Sequence, residues 1–158
     1  TDPLYGHIFD HFAVEYEYSD GRRVLSMCRQ QDGTASKVGE SFQGSLGQSN
    51  AYDTIEGKNA WKHARLEGMN PYVEEHRDLV ASIRAGKPLN EGRQIVESNL
   101  TAILGREAAY TGQSLTWDEL LASNLSILPT TFALGPLATP AVPTPGETTL
   151  QRTFSEGW

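Results

Sequence analysis

The chain contains a single cysteine, Cys28, among 158 residues, and it has fewer basic than acidic side chains. One thiol excludes a disulfide framework and a cysteine-rich zinc site within the chain. Thirteen Lys and Arg against twenty Asp and Glu give a formal net charge of −7, and no run of basic residues occurs. Binding to nucleic acid or to an anionic membrane needs a local surplus of Lys and Arg, so the composition argues against both kinds of partner.

Several catalytic and cofactor motifs are also missing. The chain has no G-x-G-x-x-G or G-x-x-x-x-G-K-[ST] loop that would bind a dinucleotide or nucleotide phosphate, and no G-x-S-x-G nucleophile elbow. It begins at Thr1 without an initiating Met and without a charged-then-apolar leader. We therefore expect a piece of a longer protein that has no complete active site of its own. The sequence does not distinguish a cytoplasmic from a periplasmic location.

The N-terminal part of the chain has the pattern of an antiparallel hairpin. Along residues 9–18, apolar or aromatic side chains alternate with mostly polar ones, which is typical of a half-buried strand. Ser19-Asp20-Gly21 predicts a tight turn, and residues 22–30 predict the returning strand. The apolar face of the first strand consists of Phe12, Val14, Tyr16 and Tyr18.

Further short strands are predicted after the hairpin. Residues 41–55 have the pattern of two strands interrupted at Gly44–Gly47, and residues 56–59 have that of a turn. Residues 60–65 predict another short strand around Trp61. Consecutive short strands joined by turns predict an antiparallel sheet, one face of which needs cover.

Three helices are predicted after the strands. The first begins at Asn70-Pro71, an N-cap followed by a first-turn proline, and stops at Gly86 and Pro88. The second runs from about Glu91 to Tyr110 and ends at Gly112. The apolar stripe of the first helix consists of Tyr72, His76, Leu79, Val80 and Ile83. The side chains expected to face inward from the second helix are Val96, Leu100, Ile103 and Leu104.

Strands followed by helices predict an α+β fold. Thr116 to Glu119 form a capping-box pattern that opens a short third helix. We expect an open, mostly antiparallel β-sheet with two or three helices packed on one face. This domain would comprise residues 1–123, with its strands within residues 7–65 and its helices within residues 70–122.

Residues 124–158 are expected to form an extended Pro-rich tail. From Leu120 to Gly146 no charged residue occurs, and five prolines exclude a membrane helix in this stretch. We expect the tail to lie along its own domain or along a neighbouring subunit.

The sequence offers little metal or nucleophile chemistry. His7, Asp10 and His11 would suit a metal if they lay on a helix, but the strand pattern sends Asp10 and His11 to opposite faces. No usual ligand spacing is met, and we predict no metal site. Cys28 lies within a predicted strand without a partnered histidine nearby, which favours a small buried hydrophobic residue over a reactive thiol.

Side chains suited to a polar ligand occur near the start of the first helix. His76 lies on its apolar stripe, with Tyr72 one turn earlier. The favoured interpretation is a packed, hydrogen-bonded histidine between helix and sheet, and the alternative is a ligand contact at the mouth of a cleft. Trp61 and His63 precede this helix. They are either an aromatic platform and a donor for sugar hydroxyls, or core and surface residues of an edge strand.

Four runs of sequence resemble, in consistent order, the C-terminal domain of one enzyme family. They are HIFDHFAVEYEYSDGRRVLSMCRQ, GESFQGSLGQSNAYDTIEG, NPYVEEHRDLVASIRAGKPLNE and LTAILGREAAYTGQSLTWDELLAS. The family is the glucose–fructose oxidoreductase/inositol dehydrogenase/rhizopine-catabolism (Gfo/Idh/MocA) superfamily. The resemblance covers roughly Gly6 to Ser123, and the PTPG of the tail resembles a terminus found in bacterial members.

The resemblance implies a two-domain parent. In such proteins an N-terminal Rossmann domain binds NAD or NADP, and the C-terminal α+β domain supports substrate binding and subunit contacts. The family's dinucleotide loop, Glu-Lys-Pro lysine motif and Asp-x-x-x-His pair would all precede Thr1. Gly86-Lys87-Pro88 follows a helix in the other domain and does not match the lysine motif. The resemblance therefore assigns no catalytic, cofactor-binding or metal residue to this chain.

The resemblance implies that a set of residues in this chain, which we call the substrate wall, faces the substrate. Its expected members are Tyr72 and His76, with Trp61, His63 and Arg65 behind them. The chain is then the substrate-binding and oligomerisation domain of an NAD(P)-dependent sugar or cyclitol oxidoreductase, not catalytic on its own. The alternatives are the same domain from an NAD-dependent glycosidase, or a stand-alone module that binds a carbohydrate or a protein.

The expected partners are the missing Rossmann domain, a sugar-like small molecule and further copies of the chain. Along the second strand Val24 and Cys28 alternate with Leu25 and Met27, so both faces are apolar. A sheet that is apolar on both faces needs helices on one and a partner on the other, which predicts a homo-oligomer through the open sheet face.

Overall fold

The strands precede the helices along the chain, and the predicted α+β fold is confirmed. The computed structural model describes residues 3–64, 68–128, 132, 134–135 and 140–152. The strands are β1 (His11–Glu17), β2 (Arg23–Arg29), β3 (Phe42–Gly44), β4 (Gly47–Ser49), β5 (Thr54–Gly57) and β6 (Trp61–Lys62). The helices are α1 (Pro71–Arg84), α2 (Gly92–Thr111) and α3 (Trp117–Ala122), and a 3-10 turn spans Pro3–Tyr5.

The described strands form two antiparallel sheets. β1 pairs with β2, while β3, β4, β5 and β6 form a four-stranded sheet in sequence order. The chain divides into two compact units: unit 1 comprises residues 1–32 and 91–158, and unit 2 comprises residues 33–90. The boundary between a domain of residues 1–123 and a tail of residues 124–158 stays a prediction.

β1 and β2 form the predicted hairpin. Their register places Phe12 opposite Cys28 and Tyr16 opposite Val24. Gly21 has a φ of 83°, a left-handed conformation that a glycine adopts without steric cost. Local turn chemistry and strand alternation therefore agree in this part of the chain.

One face of β1 packs against α2. Exposure alternates along β1, and Phe12, Val14 and Tyr16 are its half-buried residues. The Tyr16 hydroxyl donates a hydrogen bond to the Thr101 carbonyl oxygen at 3.1 Å. Gly105 lets the helix approach closely, since a Cβ there would lie 2.9 Å from Tyr16 Cζ and 3.2 Å from Val14 Cγ1. The face that alternation predicts to be apolar is the one that α2 covers.

Burial on α2 is concentrated in its C-terminal half. Leu100, Ile103 and Leu104 are half-buried, as predicted. Val96 is 56% exposed, so its assignment to the inward face is wrong. The Tyr16 hydroxyl contacts α2 at Thr101, which lies further along the helix than Val96. The contact between β1 and α2 is therefore on the C-terminal side of Val96. The buried residues of α2 are Gly105, Glu107, Tyr110 and Thr111.

β2 is exposed along its whole length. Cys28 is exposed as well, so its interpretation as a small buried hydrophobic residue is wrong. The reason is its position: α2 packs on β1, and β2 lies at the edge of a two-stranded sheet.

α1 begins where the sequence predicts. The Asn70 side-chain oxygen accepts a hydrogen bond from the Tyr72 backbone N–H at 3.0 Å, and Pro71 is the first helical residue. No residue of α1 is buried, and Leu79 and Ile83 are 45% and 61% exposed. Its apolar stripe is therefore open on the surface of unit 2.

The ends of α2 and α3 follow the predicted caps. Gly112 ends α2 in the left-handed conformation, with a φ of 67°. At the start of α3 the Thr116 N–H donates to Glu119 Oε2 at 2.7 Å, and the Glu119 N–H donates to Thr116 Oγ1 at 3.2 Å. The Thr116 backbone hydrogen bond holds the pKa of the Glu119 carboxyl below its usual value.

Part of the predicted tail packs against the end of α2. The Gly146 N–H donates to the Thr111 carbonyl oxygen at 2.8 Å. A Cβ on Gly112 would lie 2.9 Å from Pro145 Cβ, so this part of the tail is in close contact with the helix. We call residues 140–152 the C-terminal strap. The strap lies along its own unit, one of the two arrangements expected for the tail.

Candidate functional site

The predicted platform residues lie at the end of the four-stranded sheet. Trp61 begins β6 and is 54% exposed, and His63 follows the strand. Their ring centroids are 5.7 Å apart with a tilt of 34°. The pair presents an aromatic surface beside an imidazole, which is a surface that the apolar face of a sugar ring can contact.

Tyr72 and His76 lie one turn apart on α1. His76 Nδ1 is 2.6 Å from the Tyr72 carbonyl oxygen and 3.6 Å from Glu75 Oε1. The side chain of His76 is 75% exposed, so the interpretation of a packed histidine between helix and sheet is wrong. No residue of α1 is buried, so the helix makes no packed interface at His76.

The structure joins these residues in two pairs and not in one cluster. Among the described residues, no hydrogen bond, ion pair or ring contact links Trp61 or His63 to Tyr72 or His76. Arg65, the fifth residue of the predicted substrate wall, lies outside the described residues. The wall stays a prediction.

A different cluster, which the sequence analysis missed, is buried in unit 1. Glu107 on α2 is fully buried. Its Oε1 is 2.9 Å from Arg106 Nη2, and its Oε2 forms a close ion pair with the Arg152 guanidinium of the C-terminal strap, without hydrogen-bond geometry. Arg152 is itself mostly buried, with 19% of its side chain exposed. A fully buried carboxylate requires such partners, because burial without them is strongly unfavourable.

An aromatic cluster surrounds this ion pair. Phe9 contacts the Tyr110 ring edge-on, at a centroid distance of 4.9 Å, and Phe12 lies 5.9 Å from the same ring. The guanidinium carbons of Arg106 and Arg152 are each 5.9 Å from the Tyr110 centroid, within cation–π range. Burial raises the pKa of the Tyr110 hydroxyl above its usual value. The ion pair and the rings together fix the strap to the helix.

A cleft of about 330 Å³ opens beside this cluster. His7 and Arg152 line it, together with polar side chains of the strap at Thr144, Glu147 and Thr148. Burial, with a smaller effect of the nearby arginines, lowers the pKa of His7 below 6.5. The cleft therefore holds a neutral imidazole near neutral pH.

The sequence does contain a signal for Glu107. Glu107 continues the inward stripe of α2 at helical spacing after Ile103 and Leu104, so an acidic residue occupies a core position. A buried acid predicts a basic partner, but Arg152 lies far along the chain and nothing local identifies it.

We expect the stability of unit 1 to fall as the pH is lowered from about 6.5, because the folded state binds a proton at His7 less readily than the unfolded chain. Well above that pH the imidazole is neutral in both states and contributes no pH dependence. Urea unfolding from pH 7 to pH 5 is expected to be less pH-dependent in His7→Gln. The exposed His63→Gln is the control, and an unchanged slope in His7→Gln would contradict the assignment.

The described residues contain no group of three His, Cys, Asp or Glu side chains placed to hold a metal ion. Within the same ranges, no helix has the length and apolar character needed to cross a bilayer. Comparison of the chain with protein-family models, with curated proteins and with solved structures gives no match.

Proposed function

We propose that the chain is the C-terminal substrate-binding and oligomerisation domain of an NAD(P)-dependent sugar or cyclitol oxidoreductase. The proposal rests on the resemblance of its four sequence runs to the Gfo/Idh/MocA family. The cofactor, NAD or NADP, would be bound by a Rossmann domain that precedes Thr1 in the parent. Tyr72 and His76 would face the substrate, and the chain would supply no catalytic residue.

The structural observation that supports the oligomerisation and domain-contact part of the proposal is the exposure of apolar side chains on ordered elements. On the β1–β2 hairpin, Leu25 and Met27 are 63% and 69% exposed, on the face opposite to α2. On α1, Tyr72 and Ile83 are 73% and 61% exposed. Extended apolar surface of this kind is typical of protein interfaces. It favours a domain that works in contact with other domains or subunits over a self-sufficient enzyme.

The parent protein provides the direct test. We expect the reading frame upstream of Thr1 to encode a dinucleotide-binding domain, and the protein from the whole frame to reduce NAD or NADP with a sugar or cyclitol. The 158-residue chain alone is expected to show no turnover. A start codon directly before Thr1, or turnover by the chain alone, would overturn the proposal. Cleavage of glycosides by the parent would instead identify the glycosidase alternative.

A second candidate is a stand-alone module that binds a carbohydrate. The exposed Trp61 ring beside His63 favours it, because apolar faces of sugars pack on aromatic rings. In that case Trp61→Ala would abolish sugar binding by the isolated chain, and no Rossmann domain would be encoded upstream.

The oligomer proposed above predicts a strong effect of one surface charge. Leu25→Glu is expected to weaken self-association by about tenfold or more, because it removes an exposed apolar side chain from the face opposite to α2 and places a second carboxylate directly opposite Glu15. Sedimentation velocity measures the change in the concentration at which the chain associates. Val38→Glu, at a loop residue that is 96% exposed, is the matched control. A chain that stays monomeric at high concentration would contradict the prediction.

A further inference from the structure

The backbone of β2 is paired along one side. Among the described residues its only strand partner is β1, and all seven of its residues are exposed. At the tip of the hairpin the Tyr18 N–H donates to the Arg22 carbonyl oxygen at 2.9 Å. Bonded positions alternate in an antiparallel pair, so every second residue from Arg22 onwards directs its N–H and carbonyl towards β1. Leu25 and Met27 lie between these positions, and their backbone groups point away from β1.

This edge has none of the devices that usually protect an exposed strand. Natural sheets protect their edges with prolines, bulges or charged residues within the strand. β2 contains no proline, pairs with β1 without a bulge, and carries charge only at its two ends. The residues between the terminal arginines, VLSMC, are all uncharged. An edge of this composition favours pairing with a further strand.

The sequence of β2 is nearly symmetric about Ser26. In both directions RVLSMCR has an arginine, two apolar residues, the serine, two apolar residues and an arginine. A two-fold axis at Ser26 places Leu25 opposite Met27 of a second copy, and Val24 opposite Cys28. The outward-pointing backbone groups of Leu25 and Met27 then meet each other, as hydrogen bonding requires. This is also the register in which all seven residues of the strand are paired.

The charges at the ends of the strand agree with this register. It sets Arg23 opposite Arg29 of the second copy. Arg23 Nη1 is 2.9 Å from Glu15 Oε1, however, and Arg23 Nη2 is 3.5 Å from Glu17 Oε1. Since one guanidinium and two carboxylates have a net charge of −1, Arg29 of the second copy is attracted to this group.

α2 leaves room for the second hairpin. The two-fold axis is perpendicular to the sheet, so the α2 helices of both copies lie on the same face. The two β1 strands are then three strand spacings apart, roughly 14 Å. Packed helices need only about 10 Å between their axes. Val24 and Cys28 of both copies, which are exposed in the single chain, lie between the helices.

We propose that β2 pairs edge to edge with β2 of a second copy, antiparallel about Ser26, so that two hairpins form one four-stranded sheet. This contact differs from association through the open sheet face, because it consists of backbone hydrogen bonds along an edge. It requires no Rossmann domain, cofactor or substrate. The apolar side chains of Leu25 and Met27 from both copies become neighbours on the face opposite to α2.

Hydrogen exchange of the unmodified chain at increasing concentration tests the pairing. We expect the Leu25 and Met27 amides to exchange about tenfold or more slowly in the associated chain, because each donates to the second copy. The Ser26 N–H, which points towards β1 in either state, is the internal control and gains less protection. If the chain associates and the Leu25 and Met27 amides stay as fast as in dilute solution, the inference is wrong.

Oxidative crosslinking tests the register. In the double variant Ser26→Cys, Cys28→Ser the new thiols face each other across the axis, with their Cα atoms roughly 4.5 Å apart, within disulfide range. The unmodified chain is the matched control, because its two Cys28 residues are four positions out of register and roughly 14 Å apart. We expect the double variant to form a disulfide-linked dimer about tenfold faster or more.

Each failure has a separate meaning. Association with equal crosslinking rates would overturn edge pairing and leave the open sheet face as the interface, because Ser26 projects to the α2 side of the sheet. A crosslinked dimer from a gene with no Rossmann domain upstream would keep edge pairing and overturn the proposed function. A chain that stays monomeric at every concentration would overturn both modes of association.

Discussion

Replacement of Glu107 by glutamine is expected to lower the free energy of unfolding of unit 1 by about 3 kcal/mol. Glutamine preserves the shape of the side chain but removes the charge that Arg106 and Arg152 face. Arg152 would then remain largely buried without its counter-charge, and Glu107 itself has no contact with solvent. Loss of one member of a buried ion pair costs more than the intact pair contributes, because the remaining charge stays desolvated.

Hydrogen exchange of the α2 amides measures this change in unit 1 specifically. Glu97→Gln is the matched control on the same helix. Glu97 Oε1 pairs with Arg93 Nε at 2.7 Å, but both side chains are exposed, and we expect a loss of only about 0.5 kcal/mol or less. Equal effects of the two substitutions would mean that the contacts of Glu107 with Arg106 and Arg152 contribute no more than a surface ion pair.

Replacement of Gly112 by alanine is expected to destabilise unit 1 by about 3 kcal/mol, from two additive causes. The residue has a φ of 67°, a conformation that a side chain makes unfavourable. The new Cβ would also lie 2.9 Å from Pro145 Cβ and 3.2 Å from the Gly146 nitrogen, so the C-terminal strap must move away from the helix.

Gly21→Ala separates the two causes. Gly21 has a φ of 83° in the same unit, but nothing lies within 4 Å of its added Cβ, so only the conformational cost of about 1 kcal/mol is expected. A second measurement is the rate of tryptic cleavage after Arg152, which should rise in Gly112→Ala and stay unchanged in Gly21→Ala. Equal destabilisation by the two substitutions, with no change in cleavage, would show that the strap does not press on Gly112.

The sequence predicted the parts of the fold whose causes lie within a few residues. The turn at Gly21, the caps at Asn70 and Gly112, and the capping box that begins at Thr116 are local, and each forms where predicted. Strand alternation identified the face of β1 that α2 covers.

The features that depend on distant parts of the chain were not predictable in this way. The contact between Glu107 and Arg152 joins residues that no local pattern relates. The exposure of His76 and Cys28 depends on which element packs against each, and periodicity shows only that a stripe exists. The same limit applies to Gln43, Gln48 and Glu56 on β3, β4 and β5, which become neighbours through strand register alone.

The long separation between Glu107 and Arg152 has a consequence for synthesis of the protein. The β1–β2 hairpin and the four-stranded sheet consist of sequence neighbours and can form as they leave the ribosome. Unit 1 cannot close its ion pair until Arg152 has emerged. Until then Glu107, at a core position of α2, has only Arg106 of these two partners. We therefore expect unit 2 to mature first, although its residues lie between the two halves of unit 1 in the sequence.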